Sequence, residues 1–278
     1  MNFLGNYEVA ELIGLTLILL FTGVVAGLIA GMLGVGGGIV IVPVLYHFFT
    51  VLSIDPSVRM HLAIGTSLAT IIPTSIVSAR SHYRRGGLDT SLLKSIGPAV
   101  FIGASLAGAI GGLLQATFLS AIFASVALAV SINMAFRTEG SAFAQQLPGR
   151  FGRSVIGVTI GGLSAIMGIG GGTLGVPILS AFNTPIRRAV GTASGFGLLI
   201  GVPGTIGFIL AGLGVPDRPS GSLGFINIIG FALLVPLTMR MAPVGADIAH
   251  RINPNHLRLA FATFLAVTAG KMFIDLLG

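Results

Sequence analysis

Long stretches without a charged residue dominate the chain and predict membrane-spanning helices. They run over 12–54, 60–79, 95–136, 154–186, 189–216 and 219–239, with a weaker stretch at 259–270. A membrane helix needs about 20 apolar residues, and the absence of strand-like alternation disfavours a β-barrel. The pattern predicts an all-α polytopic membrane protein with full spans near 12–33, 61–79, 95–114, 118–136, 154–168, 190–213, 223–242 and 257–276.

Two of the apolar stretches do not fit one simple span. Residues 12–54 are cut by a glycine run at 34–38, and residues 154–186 are cut by a similar run at 168–172. Each run is followed by a short apolar piece, about 39–50 and 173–183. A helix rising 1.5 Å per residue would not cross a ~30 Å hydrocarbon core over that length. We therefore expect two short, re-entrant-like helices that begin at the glycines.

Composition agrees with a membrane protein and excludes several other classes. Of the 278 residues, 54% are apolar and only 8% are charged, whereas a soluble domain carries roughly a quarter charged residues. The chain has no cysteine, which excludes disulfides, thiol-ligated metals and thiol catalysis. No basic stripe with interleaved aromatic residues is present, so no nucleic-acid partner is expected. The sequence indicates neither a cofactor nor a metal site.

The basic residues predict how the chain is oriented in the membrane. If the two short segments return to the side they left, the loops at 80–94, 137–153, 184–189 and 240–258 share one side and hold 12 of the 15 Lys and Arg residues. Cytoplasmic loops are enriched in these residues. This places Arg59, Arg218 and Lys271 outside and predicts that both termini are external.

The glycine runs belong to an internal repeat. Gly34 and the eleven residues after it match Gly168 and its successors at an offset of 134 without a gap, ending in both cases at a Pro followed two residues later by Leu. Upstream, Gly23, Gly27 and Gly31 match Gly157, Gly161 and Ala165. Downstream, Gly65-Thr66-Ser67 resembles Gly191-Thr192-Ala193.

Each repeat contains five hydrophobic segments, and an odd number of segments inverts the second repeat relative to the first. We expect a first repeat at 1–136, a cytoplasmic linker at 137–153 and a second, inverted repeat at 154–278. Inverted repeats are typical of secondary transporters, whose sites lie near the membrane midplane, and glycine-broken segments at matching positions are the best sequence pointer to such a site.

The two glycine breaks predict an anion site. A helix start carries unpaired N–H groups and the positive end of the helix dipole, and an anion satisfies both. The alternative is that glycines only permit close helix packing, which we favour for Gly23, Gly27 and Gly31. The candidate substrate-binding residues, including nearby hydroxyl donors, are Gly36, Gly37, Gly38, Pro43, Thr66, Ser67, Gly170, Gly171, Gly172, Thr173, Pro177, Thr192 and Ser194.

Other polar residues leave alternatives open. Pro43 and Pro177 either open the short helices or kink them. His47 and His61 are interpreted as structural residues rather than proton carriers, and Arg187 and Arg188 as orientation signals rather than anion attractors.

Cation transport and catalysis are both disfavoured. The eight acidic residues all map to loops or span ends, whereas cation sites and proton relays usually place a carboxylate inside the membrane. Ser194 has no histidine in a later span to activate it as a nucleophile. The chain is therefore not expected to be an enzyme.

The repeated Gly-x-Gly-Gly-Gly-x4-Pro elements, over about residues 12–276, resemble the TauE/SafE family of sulfite and organosulfonate exporters. The motif positions are Gly34, Gly36, Gly37, Gly38 and Pro43, and Gly168, Gly170, Gly171, Gly172 and Pro177. The resemblance implies a bacterial inner-membrane permease that moves sulfite, sulfoacetate or a related C2 sulfonate. Two differences between the repeats, Ile39 against Thr173 and Ile41 against Gly175, predict unequal contributions to a site.

The sequence thus predicts a secondary transporter that exports a small sulfur-containing anion by alternating access and contacts membrane lipid. A passive anion channel, or a permease for another small anion, remains the alternative. The direction of flux, the coupling ion and the oligomeric state stay open.

Overall fold

The computed structural model describes residues 9–136, 144–248 and 254–277, and helices make up most of them. The helices are α1 Val9–Leu33, α2 Gly38–Val51, α3 Pro56–Arg84, α4 Thr90–Gly111, α5 Ala116–Phe136, α6 Arg150–Met167, α7 Gly172–Ala181, α8 Ile186–Gly212, α9 Ile228–Ile248 and α10 Pro254–Leu277. Two strands, β1 Ser222–Leu223 and β2 Ile226–Asn227, form an antiparallel hairpin.

Six of the helices in the described ranges are long and apolar enough to cross a membrane: α1 (from Ile13), α3, α4, α5, α8 and α9. Two further apolar helices, α2 and α7, are too short for this. The prediction of an all-α polytopic membrane protein is confirmed. Helices also occupy the predicted spans at 154–168 and 257–276, as α6 and α10.

One predicted span begins at the wrong residue. We expected a helix over 223–242, but residues 223–227 lie in the hairpin and α9 begins at Ile228. Gly221 and Gly224 have φ angles of 84° and 56°, a conformation that turns the chain and that L side chains rarely adopt. A smaller difference lies in the predicted linker, because residues 150–153 already belong to α6.

Helix starts are fixed by local capping. Asp55 accepts a hydrogen bond from the Ser57 amide, and Pro56 occupies the first turn of α3, where its missing N–H costs nothing. Asp89 accepts from the Leu92 amide at the start of α4. At the other end of a helix, Gly168 closes α6 with φ 68°, a common left-handed helix end.

The first and second halves of the chain pack in a crossed arrangement. The two most extensive helix interfaces join α1 to α9 and α6 to α4. At the centre α3 packs on α8, with the short helices α2 and α7 against α3 and α8 respectively, and α5 pairs with α10. The α3 segment is the most buried of the candidate spans, at 72%. The central helices are therefore shielded by the others.

Small residues make the two large interfaces possible. A Cβ added at Gly31 would overlap the carbonyl oxygen of Ala242 in α9. A Cβ added at Gly161 would overlap the carbonyl oxygen of Val100 in α4. The packing role predicted for the upstream glycines is confirmed at these positions, because the backbones meet where a side chain would stand.

Candidate functional site at the contact of the two glycine motifs

The two glycine motifs, which we define as Gly34–Gly38 and Gly168–Gly172, lie in direct contact at the centre of the protein. A Cβ on Gly38 would overlap the carbonyl oxygen of Gly168, and a Cβ on Gly172 would overlap that of Gly34. A Cβ on Gly170 would overlap the Val35 carbonyl oxygen. All ten motif residues are buried. The structure thus brings together two segments that are 134 residues apart in the chain.

Each motif ends at the start of a short helix. The N-cap residues are Gly37 for α2 and Gly171 for α7, and neither start has a side-chain cap. The first amides of a helix find no acceptor in their own helix, so these two starts carry uncompensated donors and positive dipole ends into a buried region. In a membrane such groups need a partner, and an anion fits that need.

The two prolines lie inside these helices rather than at their starts. Pro43 is in α2, which begins at Gly38, and Pro177 is in α7, which begins at Gly172. Their two considered roles, opening the short helix near its first turns or kinking it, therefore stay predictions. Proline lacks an N–H, so each one leaves the carbonyl four residues earlier without its helical donor. Those carbonyls belong to Ile39 and Thr173.

Ser67 ties the central helix α3 to the second motif. Its hydroxyl donates a 2.7 Å hydrogen bond to the Gly168 carbonyl oxygen, and both residues are buried. The corresponding residue of the second repeat is Ala193, which has no hydroxyl. Its carbonyl oxygen instead lies 2.8 Å from the position of a Cβ on Gly171.

Thr66 and Thr192 have matching contacts away from the motifs. The Thr66 hydroxyl accepts a 2.8 Å hydrogen bond from the Asn227 amide, and the Thr192 hydroxyl accepts a 3.2 Å bond from the Asp89 amide. Asn227 and Asp89 in turn accept from the amides of Gly230 and Leu92, three residues later. Each threonine therefore holds the residue that caps the start of α9 or α4.

This cap arrangement was missed by sequence reasoning. A weak signal exists, because Asp and Asn are favoured caps before an apolar run. Asp89 stands before Thr90, and Asn227 before Ile228. Gly65 and Gly191 stand one residue before each threonine and allow the helix to approach the backbone that precedes the cap residue. A Cβ on Gly65 would overlap the Phe225 carbonyl oxygen, and one on Gly191 would overlap that of Gly87.

The remaining predicted hydroxyls differ in their surroundings. Ser194 donates 2.6 Å to the Gly191 carbonyl oxygen within its own helix. Thr173, the second residue of α7, is 4% exposed, and its hydroxyl has no hydrogen-bond partner among the described residues. Thr173 is therefore the predicted side chain whose bonding capacity is unused.

His61 bridges helices at the edge of the core. Its Nδ1 lies 3.1 Å from the Ser57 carbonyl oxygen and its Nε2 lies 2.8 Å from that of Leu114. The ring stacks on Phe225, with centroids 4.7 Å apart. These contacts join α3, the turn after α4 and the hairpin, and they agree with the structural role expected for this residue.

The acidic side chains described by the structure lie at helix ends or in loops. Asp55 and Asp89 precede α3 and α4, Asp217 lies in the loop before β1, and Asp247 and Asp275 lie near the ends of α9 and α10. Asp247 is paired with Arg85. Among the described residues, no group of three or more His, Cys, Asp or Glu side chains that could hold a metal ion is found. The chemistry at the motif contact is that of neutral donors.

Comparison with known proteins identifies the family. The model of the sulfite exporter TauE/SafE family matches residues 19–272. The chain belongs to this family. A probable membrane transporter protein of Haemophilus influenzae is 31% identical over 258 residues, covering 93% of this chain and 98% of that protein.

More distant relatives carry the same kind of name. A probable membrane transporter protein of Methanocaldococcus jannaschii is 26% identical over 90% of this chain and 92% of its own length. The protein YdhB of Bacillus subtilis, also named a probable membrane transporter, is 27% identical over 79% of this chain and 84% of its own length. No solved structure matches. The chain is a multi-pass membrane transporter, and the names of its family and relatives indicate a transporter rather than an enzyme.

Proposed function

We propose that this TauE/SafE transporter exports a small sulfur-containing anion, such as sulfite, sulfoacetate or a related C2 sulfonate, across the bacterial inner membrane. The observation that carries the proposal is the contact of two uncapped helix starts, at Gly38 and Gly172, in the buried centre of the protein. They supply N–H donors and positive dipole ends without a basic side chain. The sulfur-anion specificity rests on the family description.

The proposed substrate site comprises both glycine motifs and the hydroxyls around them. In this proposal the helix starts bind the anion, while Ser67, Thr66 and Thr192 hold the surrounding helices in register. Pro43 and Pro177 remain part of the proposed site as motif residues inside the short helices α2 and α7. Ser194, which bonds to its own helix, contributes packing beside Gly195 and Phe196.

An inverted-repeat architecture explains the crossed packing. With the first repeat at 1–136 and the second at 154–278, α1 corresponds to α6 and α4 to α9. The interface of α1 with α9 then has its counterpart in that of α6 with α4, and the pairs α3–α8 and α5–α10 each join equivalent helices. Exchanging the two repeats in this way also converts the hydrogen bond between Thr66 and Asn227 into the one between Thr192 and Asp89. In the orientation favoured by the basic residues, both termini are periplasmic.

The closeness of the motifs supports alternating access as the mechanism of this proposed transporter. Because the backbones touch at Gly38 and Gly172, an anion can reach both helix starts only when the motifs separate. Moving one repeat against the other around a midplane site achieves this in transporters of inverted topology. A site that closes between its two openings distinguishes a transporter from a channel.

Ligand-dependent thermal stability of the detergent-purified protein tests the proposal. Sulfite, sulfoacetate, taurine, sulfate, phosphate and chloride are compared at equal ionic strength. A ligand that binds only the folded state, at about 100 times its dissociation constant, adds about 2.7 kcal/mol to the free energy of unfolding. We expect selective stabilisation by a sulfur anion. No response to any anion would remove the proposed site.

Flux in proteoliposomes tests the mechanism separately. A transporter that alternates between two openings saturates with substrate, and coupling to an ion gradient lets it concentrate the anion. Flux that rises linearly with concentration and never exceeds equilibrium would instead identify a passive anion channel. Saturable flux of an anion without sulfur would retain the mechanism and overturn the substrate.

A further inference from the structure

Two buried hydroxyls near the motif contact have no hydrogen-bond partner. The Oγ atoms of Ser75 in α3 and Thr173 in α7 are unpaired within the described part of the chain, and the residues are 1% and 4% exposed. An unpaired buried hydroxyl is costly, and native proteins retain few of them. The neighbouring protein groups therefore do not explain why these two hydroxyls are kept in buried positions.

Ser75 and the start of α7 pack against neighbouring residues of α8. Ser75 Oγ lies so close to Gly197 that a Cβ there would overlap it. The preceding residue, Phe196, would be overlapped in turn by a Cβ on Gly171, the N-cap of α7. Thr173 follows two residues later. The segment Phe196–Gly197 of α8 therefore contacts both Ser75 and the start of α7.

Ile71 links Ser75 to the first motif as well. It lies one helical turn before Ser75, and its side chain comes within 2.9 to 3.2 Å of the positions that Cβ atoms on Gly36 and Gly38 would occupy. The Ile71 Cγ2 atom is also 3.5 Å from a Cβ on Gly197. Ser75 therefore lies one helical turn beyond the residue of α3 that contacts the first motif, and Thr173 is the second residue of α7.

The other buried hydroxyls of α3 have hydrogen-bond partners, whereas Ser180 in α7 and Thr205 in α8 also have none among the described residues. Ser78, one turn beyond Ser75, donates to the Ala30 carbonyl oxygen at 3.4 Å. Thr70 donates to the Thr66 carbonyl oxygen at 2.9 Å, and Thr74 to that of Thr70 at 2.8 Å. These residues show that buried hydroxyls of α3 usually find acceptors. Ser75 differs by lying against Gly197, which offers its hydroxyl no side chain.

We infer that Ser75 and Thr173 supply the side-chain donors of the anion site and set its preference for oxyanions with several oxygen atoms over halides. The inference rests on the proposed function. Two hydroxyls from different helices, added to the amides of two helix starts, present donors from several directions. A sulfite or sulfonate group offers three oxygen acceptors to such a set, whereas a spherical halide needs no particular arrangement. Ser75 belongs to the first repeat and Thr173 to the second, so both repeats contribute.

Matched variants in the full-length protein test the assignment. The variants Ser75→Ala and Thr173→Val remove one hydroxyl each with little change in volume. Ser78→Ala and Thr22→Val are their controls, because Ser78 and Thr22 are buried and their hydroxyls have acceptors, the latter in Ile18 at 2.7 Å. Thr173→Ser restores the donor. Each protein is titrated with sulfite, sulfoacetate and chloride in detergent, and its thermal midpoint is measured without added anion.

We expect each test variant to bind the sulfur anion about ten-fold or more weakly, the scale of one lost hydrogen bond to a charged group. Chloride affinity should change much less, and Thr173→Ser should recover most of the oxyanion affinity. The midpoint without anion should stay unchanged or rise, because an unpaired hydroxyl has been removed. The controls should leave the anion affinity unchanged, and Ser78→Ala should lower the midpoint because its hydroxyl bonds to another helix.

The outcomes separate this inference from the proposed function. If the unaltered protein binds sulfite or sulfoacetate and both test variants bind it equally well, the assignment of Ser75 and Thr173 is overturned and the anion site stands. A lower midpoint with unchanged affinity would make these hydroxyls structural and overturn the assignment as well. If the unaltered protein binds none of the anions, the proposed function fails and the inference falls with it.

Discussion

The two glycine motifs share a sequence pattern but depend on glycine for partly different reasons. In the first motif Gly34, Gly36 and Gly37 have φ angles of 66°, 70° and 79°, a region that disfavours L side chains. In the second motif only Gly168 has a positive φ angle, of 68°. Gly170, Gly171 and Gly172 are required for space, because a Cβ on each would overlap a neighbouring atom.

Close neighbours require glycine in both motifs, for example at Gly34 and Gly38 in the first, and the left-handed backbone adds a second requirement mainly in the first motif. The first motif turns sharply into α2, a helix of 14 residues, and the second runs more directly into α7, a helix of 10 residues. Ile39 is replaced by Thr173 in the second motif, which adds a hydroxyl to one helix start only. The second motif thus contributes more polar groups, and the first contributes a more constrained backbone.

Leucine at the N-cap of either short helix should have the largest effect. We expect Gly37→Leu and Gly171→Leu to abolish anion flux in proteoliposomes while the protein still inserts, because each side chain would overlap a packed helix, at Ala26 of α1 or Phe196 of α8, and displace the start of the short helix. Gly37→Leu should also lower the thermal midpoint further, since forcing a side chain into the left-handed region costs about 1–2 kcal/mol. Normal flux in both variants would refute the site, and equal midpoints would remove the contrast between the motifs.

Alanine substitutions in α1 and α6, the helices that precede the two motifs, test whether both depend on close packing to the same extent. Gly31→Ala and Gly161→Ala should each destabilise the protein by about 1–3 kcal/mol, as overpacking does, because each Cβ would overlap a carbonyl oxygen of the facing helix. Thermal unfolding in detergent measures this.

Each of these substitutions has a control on the same helix. A Cβ on Gly14 meets nothing within 4 Å, and one on Gly162 meets only the Gly103 carbonyl oxygen at 3.7 Å. Gly14→Ala and Gly162→Ala should therefore leave stability unchanged or raise it. Controls as damaging as Gly31→Ala and Gly161→Ala would show that the effect is not one of close packing.

Removing the two cap-holding hydroxyls should give smaller, equal effects. Thr66→Val and Thr192→Val each leave a backbone amide, of Asn227 or Asp89, without its acceptor, at a cost of about 1–3 kcal/mol. Thermal unfolding measures the loss in each variant. Clearly unequal losses would argue against equivalent contacts in the two repeats. Thr70→Val is the control in α3, because its hydroxyl bonds only within the helix.

The smallest expected effect is on how thermal stability changes at acidic pH. Hydrogen bonds from the hydroxyl and amide of Ser57 hold the pKa of the exposed Asp55 carboxyl below its ordinary value of 3.8. The ionised cap thus contributes stability above pH 3.8, and the contribution disappears as the pH falls through the lowered pKa. Asp55→Asn should remove this part of the acid sensitivity. A thermal midpoint that falls equally steeply with acid in both proteins would contradict the prediction. Asp89 precedes α4 as Asp55 precedes α3, so Asp89→Asn serves for comparison.

Much of the fold follows from the sequence because each membrane helix is indicated by the hydrophobicity of its own residues. Charge-free stretches locate the long helices, and triple glycines locate the starts of α2 and α7. The hairpin at 222–227 was missed because apolar residues such as Phe225 and Ile226 continue the hydrophobic pattern into it. Only Gly221 and Gly224 indicated a turn.

The site was predictable in outline and not in its side chains. The repeat pointed to both motifs, but their contact depends on how α3 packs on α8, and hydrophobicity does not encode which helices meet. Thr66 and Thr192 were identified by type, yet their bonds to Asn227 and Asp89 require long-range packing. Ser75 carried no sequence signal, because it is one of several hydroxyls on α3 and only its neighbour Gly197 distinguishes it.

The loop before the hairpin also provides an attachment point for chemical labels. Ser220 is exposed in the loop that leads into β1, and a Cβ at the adjoining Gly221 meets nothing within 4 Å. The chain contains no cysteine of its own, so Ser220→Cys creates a single thiol without background reaction. A maleimide that cannot cross membranes would then report, in intact cells, which compartment this loop faces. The same thiol can carry a fluorophore or spin label for following movement of α8 and α9 during a transport cycle.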